Sequence, residues 1–147
     1  MSIKRIFLDT NIYIIGVSNV NSFEYKILDS LGFYEKNNSI EVVVSQPLFE
    51  QILRVAKRLR HKDWGSEIID QIWQNFNVIY VLIENDECIE ENKLGLIPRE
   101  DISIYLTAKN GKADCFVSAN YKLIKALVEK TGEFECLTPE AFVKKYL

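Results

Sequence analysis

Short apolar runs alternate with amphipathic segments along this chain. Five runs rich in β-branched and aromatic residues predict strands: Ile3–Leu8, Glu41–Ser45, Phe76–Ile83, the segment from Asp114 to just before Asn120, and Glu133–Leu137. These runs are continuously apolar instead of alternating with polar residues, which is typical of parallel strands buried on both faces. The pattern therefore predicts an α/β fold with three α/β/α layers around a central, twisted parallel sheet.

Amphipathic segments between these runs predict helices. Pro47 after Ser45 marks one helix start, and Pro139 after Thr138 marks another. The predicted helices cover about 21–33, 46–59, 64–75, 84–93, the segment after Pro98, 121–130 and the C-terminal segment through Tyr146. The 147 residues contain no repeat or linker-like stretch, so a single domain is predicted over residues 1–147.

One carboxylate interrupts the apolar face of a predicted helix. On a helical wheel, Asp101 falls between Ile104, Tyr105 and Ala108. Burying a lone carboxylate is costly unless a cation or hydrogen-bond donors compensate for it. The neighbouring sequence supplies no such partner, so a bound metal ion is one candidate.

Other oxygen donors surround the predicted strand ends. The candidate donors are the acids Asp9, Glu50, Asp101 and Asp114 and the neutral residues Thr10, Ser118 and Asn120. Asp9 and Asn120 follow the carboxyl ends of their strands, where ligand sites form in parallel sheets. Such donors suit Mg²⁺ or Mn²⁺. A zinc site lacks ligands, because His61 is the only histidine.

The ordered set of motifs resembles the PIN domain family. The resemblance rests on LDTN at the end of the first strand, LFEQI on the helix after the second, and the later segment DISIYLTAKNGKADCFVSAN. It covers essentially the whole chain. It implies a PIN-like fold and an endoribonuclease that hydrolyses RNA phosphodiesters with a water activated by Mg²⁺ or Mn²⁺, as in the toxins of toxin–antitoxin pairs.

The resemblance also implies roles for individual residues. The expected catalytic acids are Asp9, Glu50, Asp101 and Asp114, of which Asp9, Asp101 and Asp114 are the expected metal ligands. The residues expected to support these ligands and orient water are Thr10, Asn11, Ser118 and Asn120. Asn120 stands where many members have a further aspartate, and the lost charge is expected to weaken a second metal more than a first.

The expected partners are an RNA substrate, an antitoxin protein and a second copy of the chain. The net charge of −3 gives no overall attraction to RNA, so binding requires a local basic patch. Candidates for contacts with RNA phosphates are Arg54, Lys57, Lys109 and Lys122. Each of them is also explained as a solvated cation on a helix surface.

The acids and Asn120 also have explanations that involve no chemistry. Asp9 and Asn120 suit the N-caps of the helices that follow them, and Asp114 suits a turn. Glu50 lies outside the apolar arc of its helix, near two basic residues of the same helix, so a surface ion pair accounts for it.

Two other functions stay open at the level of sequence. A phosphatase of the haloacid dehalogenase type also begins with an aspartate after its first strand, but it normally needs a second acid two residues later, where this chain has Asn11. The other is a PIN-like module that binds RNA or protein without cutting, and the missing aspartate at Asn120 supports it.

Two further patterns concern the cellular environment. No apolar run approaches the ~20 residues that span a bilayer, and the first residues lack a signal-peptide pattern, so a cytoplasmic protein is expected. The cysteines Cys88, Cys115 and Cys136 are widely spaced and odd in number, which predicts reduced thiols instead of a disulfide framework.

Overall fold

Five parallel strands form one sheet in a computed structural model that describes residues 3–37 and 39–147. The strands are β1 (Arg5–Leu8), β2 (Glu41–Ser45), β3 (Asn77–Val81), β4 (Cys115–Val117) and β5 (Glu135–Leu137). Their order across the sheet is β3-β2-β1-β4-β5, and every neighbouring pair is parallel. The parallel sheet predicted from the apolar runs is confirmed.

In the part of the chain that the structure describes, eight helices connect and follow these strands. They are α1 (Thr10–Ser18), α2 (Phe23–Ser30), α3 (Gln46–Leu59), α4 (Lys62–Asn75), α5 (Asn85–Leu94), α6 (Ile102–Asn110), α7 (Tyr121–Lys130) and α8 (Pro139–Tyr146). Right-handed crossovers place α1 to α4 on one face of the sheet and α5 to α7 on the other. This arrangement gives the three predicted layers, and no helix in the described ranges is long and apolar enough to cross a membrane.

The central strands form the core of the molecule. In β1, β2 and β4 every apolar side chain is completely buried. Phe7 and Phe116 pack across the β1–β4 pair with ring centroids 4.9 Å apart. Edge strand β3 is more exposed than the continuously apolar sequence predicted, because it has a neighbour on one side only. Cys88, Cys115 and Cys136 are all free, and Cys115 is buried.

Asp114 lies at the opposite end of the sheet from Asp9. The parallel register places Asp9 just past the carboxyl end of β1 and Asp114 just before the amino end of β4. The four residue-to-residue steps from Asp114 to Ser118 span roughly 13 Å of extended chain. The Asp114 carboxylate instead accepts the backbone N–H groups of Lys4 and Arg5, at 2.9 and 3.0 Å. Its predicted place beside Asp9 among metal ligands is therefore wrong, and its position is structural.

Replacing Asp114 should weaken the fold. Backbone hydrogen bonds from Arg5 and Lys4 lower the pKa of Asp114, so its contribution is present above about pH 4 and lost as the pH falls further. We expect Asp114→Ala to reduce the free energy of unfolding by less than about 1 kcal/mol at pH 7, as measured by urea denaturation, because solvent weakens the hydrogen bonds of this exposed carboxylate. The difference between the proteins should shrink toward pH 3. A pH-independent difference would contradict this account.

Candidate functional site

A pocket opens where the direction of strand connection reverses. The chain leaves β1 toward β2 on one side, whereas β4 lies on the other side of β1, and such a switch point is where α/β sheets bind ligands. The pocket, here called the acidic pocket, has a volume of about 410 Å³. It is lined by Asp9, Thr10, Asn11, Ile14, Ile15, Gln51, Arg54, Val55, Arg58, Asp101 and Asn120.

Asp9 is held rigidly at the inner wall of this pocket. Its side chain is only 6% exposed. The Ser118 hydroxyl donates to Asp9 Oδ2 at 2.7 Å, and the Thr10 backbone N–H donates to Oδ1 at 2.8 Å. The second bond makes Asp9 the N-cap of α1, so the capping explanation is also confirmed. Burial raises the pKa of Asp9, although these hydrogen bonds oppose the shift.

Ser118 lies at the centre of a small polar network behind Asp9. Its oxygen accepts the Asn120 backbone N–H at 3.0 Å and the Asn11 side-chain amide at 3.3 Å. The side-chain oxygen Oδ1 of Asn11 accepts a hydrogen bond from the Ala119 backbone N–H at 2.9 Å, which connects the loop after β4 to α1. Asn120 lines the pocket and also caps α7 by accepting the Leu123 N–H at 3.1 Å. Ser118 and Asn11 therefore position Asp9 and the adjoining loop.

Asp101 reaches the pocket from the opposite layer. It ends the 3₁₀ turn Arg99–Asp101 that leads into α6. The next turns of α6 bury their apolar side chains, as the helical wheel predicted. Partial burial, followed by the charges of Glu100 and Asp9, raises the pKa of Asp101 to about 6. The Asp9 contribution shows that two carboxylates from distant parts of the sequence share one electrostatic environment.

Gln51, which the sequence reasoning did not select, lines the pocket from α3. It forms a hydrogen bond with the Thr10 hydroxyl through Oε1. The predicted acid Glu50 lies outside the pocket, where its carboxylate accepts the Gln46 side-chain amide at 3.1 Å. Successive helical residues are 100° apart, so the neighbouring positions face different ways. The prediction that Glu50 belongs to the site is therefore wrong. The sequence signal for Gln51 was its position on the helical wheel, about 40° from apolar Val55.

Basic residues of α3 flank the acids. Arg54 lines the acidic pocket, as does Arg58 one helical turn further along α3. Lys57 does not line this pocket and faces a neighbouring cavity that also contacts Arg54. The positive charge of α3 is therefore divided between two adjoining surfaces.

The other two predicted phosphate contacts lie outside the pocket. Lys109 forms an ion pair with Glu133 at 3.8 Å near the amino end of the sheet, so the structure does not bring it to the acids. Lys122 is exposed on the first turn of α7, two residues beyond Asn120, but it does not line the pocket. Contact between RNA and either Lys109 or Lys122 stays a prediction.

Comparison with known proteins places this fold among solved toxin–antitoxin structures. No protein-family model matches the chain, and no curated protein matches its sequence. Three similar structures are VapBC2 from Rickettsia felis bound to a DNA fragment from the promoter, VapBC-1 from nontypeable Haemophilus influenzae, and DNA-bound VapBC from Salmonella typhimurium. Their matched chains are 16%, 17% and 11% identical to this one, with TM-scores of 0.59, 0.60 and 0.62.

Each match extends over nearly the whole of this chain and of the matched chain. They cover 91%, 92% and 92% of this chain, respectively, and 98% of each matched chain. At this level of identity the likeness is one of fold. The chain therefore has the PIN-like, three-layer α/β/α fold that its sequence motifs predicted.

Proposed function

We propose that this chain is a metal-dependent ribonuclease and the toxin of a toxin–antitoxin pair. The observation that carries the proposal is the convergence of Asp9 and Asp101, from separate layers, on one pocket where burial raises both pKa values. Two neighbouring carboxyl groups with raised pKa values favour a bound cation, because its charge stabilises their ionised forms. The toxin role, the antitoxin partner and a homodimer rest on the PIN resemblance and on the VapBC complexes with a similar fold.

The donors in the acidic pocket fit one hard divalent ion. Mg²⁺ is commonly held by one or two carboxylates, with water and substrate phosphate completing its shell. Asp9 and Asp101 supply the carboxylates, while Asn120 and Gln51 add amide oxygens. Across residues 3–37 and 39–147, no three His, Cys, Asp or Glu side chains form a group that could hold a metal. We therefore expect weak metal binding that RNA strengthens.

The chain itself supplies orientation and proton acceptance. When bound, Mg²⁺ or Mn²⁺ polarises a phosphoryl oxygen and makes a coordinated water more acidic. Ser118 and the Thr10 N–H fix the two oxygens of Asp9, so this ligand is already oriented. In the metal-free chain the pKa of Asp101 is about 6, so its carboxylate is largely ionised at neutral pH and can serve either as a ligand of the ion or as a proton acceptor for water.

A module that binds RNA without cutting is the second candidate. Gln51 and Asn120 place neutral amides at two positions of the pocket, which leaves two carboxylates there. Fewer charges mean weaker attraction for a cation. The phosphatase alternative has less support, because Asn11 occupies the position of its second acid and uses its amide on Ala119 and Ser118.

Removing either pocket carboxylate should abolish nuclease activity. We expect Asp9→Asn and Asp101→Asn to lower Mg²⁺- or Mn²⁺-dependent cleavage of single-stranded RNA by about 100-fold or more, because each removes a charged ligand. Expression of the wild-type chain should arrest bacterial growth, whereas expression of these variants should not. Cleavage is measured on labelled RNA by gel electrophoresis.

Glu50→Gln is the matched control for the cleavage experiment. It makes the same chemical change on an exposed side chain outside the acidic pocket, so wild-type cleavage is expected. Full activity in Asp9→Asn or Asp101→Asn would overturn the nuclease proposal. RNA binding by the wild-type chain with no cleavage at any metal concentration would favour the binding module.

The metal-free pocket should destabilise the fold at neutral pH. Because the folded pKa of Asp101 is raised from 3.8 to about 6, its contribution to stability is full below about pH 4 and is lost as the pH rises through 6. Asp101→Asn should therefore be more stable than wild type by about 1 kcal/mol at pH 7.5 in EDTA, a figure limited by the partial solvent exposure of Asp101. Urea denaturation from pH 4 to pH 8 measures the difference.

Two observations accompany this stability experiment. The difference between the two proteins should disappear near pH 4, and millimolar Mn²⁺ at pH 7.5 should stabilise wild type but not the variant. Glu50→Gln should follow wild type throughout. A variant that is equally stable or less stable than wild type at pH 7.5 would show that the empty pocket does not strain the fold.

A further inference from the structure

A second cavity adjoins the acidic pocket on the other side of α3. It has a volume of about 650 Å³ and is lined by Leu53, Arg54, Lys57, Lys62, Asp63 and Ser66, and we call it the basic groove. Arg54 lines both cavities, so one side chain forms the boundary between them. The groove contains three cations and one carboxylate, whereas the acidic pocket is lined by the two acids Asp9 and Asp101 and by the two arginines of α3.

Arg54 and Arg58 are free to bind an anion. Within the described residues, no ion pair joins Arg54 or Arg58 to a carboxylate. Their guanidinium groups are therefore available to an anion that enters the pocket.

We propose that the basic groove binds the phosphodiester backbone of single-stranded RNA next to the bond that is cut in the acidic pocket. This inference rests on the proposed ribonuclease function and adds the path of the substrate across α3. Arg54 and Arg58 are one helical turn apart, which is roughly 6 Å along the axis and close to the separation of neighbouring phosphates in an extended strand. Lys57 and Lys62 continue the positive charge away from the acids.

The shape and lining of the groove favour a flexible strand over a small phosphate ester. Two cavities that share Arg54 accommodate more than one nucleotide, and Leu53, 37% exposed, offers an apolar contact for a base or sugar. The chain carries a net charge of −3, so attraction for a polyanion has to come from a local patch of this kind. An acidic protein segment is the competing occupant.

Binding to an inactive protein tests the groove without requiring cleavage. In the Asp101→Asn background and in EDTA, labelled single-stranded RNA of eight nucleotides is titrated at several KCl concentrations and binding is followed by fluorescence anisotropy. Lys57→Ala and Lys62→Ala should each weaken binding by about 3- to 10-fold and reduce the slope of log K against log salt by about 0.7. A dinucleotide should bind more weakly than the octamer and be less sensitive to both substitutions.

Lys130→Ala is the matched control, because Lys130 is an exposed lysine on the last turn of α7, outside both cavities. It should leave affinity and salt slope unchanged. Equal effects of Lys57→Ala and Lys130→Ala on RNA affinity would overturn the proposal that the groove binds RNA. An acidic peptide of matched charge would also overturn it if it bound more tightly than the octamer and Lys57→Ala weakened its binding.

Failure of the groove and failure of the nuclease proposal are distinguishable. If Lys57→Ala and Lys62→Ala, made in the otherwise wild-type chain, cleave RNA with unchanged KM, RNA binding by the groove is disproved and the nuclease proposal is unaffected. If the wild-type chain cuts no RNA but groove substitutions still weaken RNA binding as described, the groove stands and the nuclease proposal fails.

Discussion

The buried carboxylate of Asp9 at the end of β1 is the constraint on which the site depends. Parallel pairing of β1 with β4 places Ser118 beside Asp9, although 109 residues separate them in sequence, and allows the hydroxyl to donate to the carboxylate. This bond orients Asp9 but does not cancel the effect of burial, because the pKa stays raised. Asp101 adds a second acid to the same pocket, and this pair of carboxylates is the basis of the proposed cation site.

Helix α3 gives this site its asymmetry. One face presents Gln51, Arg54 and Arg58 to the acidic pocket, while Arg54 and Lys57 also face the basic groove. The helix can serve both surfaces because residues three and four positions apart share a side, while adjacent residues diverge by 100°. Positive charge thus lies beside the acids without forming ion pairs with them among the described residues, and the proposed RNA substrate would use it through its phosphates.

The two ends of the sheet carry different tasks. At the carboxyl ends of β1 and β4, polar side chains surround the pocket, and burial raises the pKa values of Asp9 and Asp101. At the amino ends, Asp114 satisfies two backbone N–H groups and its own pKa is lowered. An aspartate with a lowered pKa and local donors stabilises the fold, whereas a pocket aspartate with a raised pKa is a candidate for the proposed site.

Sequence alone determined the strands and their parallel sheet, the helices from α2 onward, the helix caps and the places of Asp9, Asp101 and Asn120, because each depends on local periodicity or on the end of a strand. Tertiary structure decided which acids meet. Asp114 lies at the other end of the sheet, Glu50 lies outside the pocket, and Gln51 lines it. Spacing along the chain does not fix the neighbours that a strand end or a helix face meets, because packing between distant segments sets them.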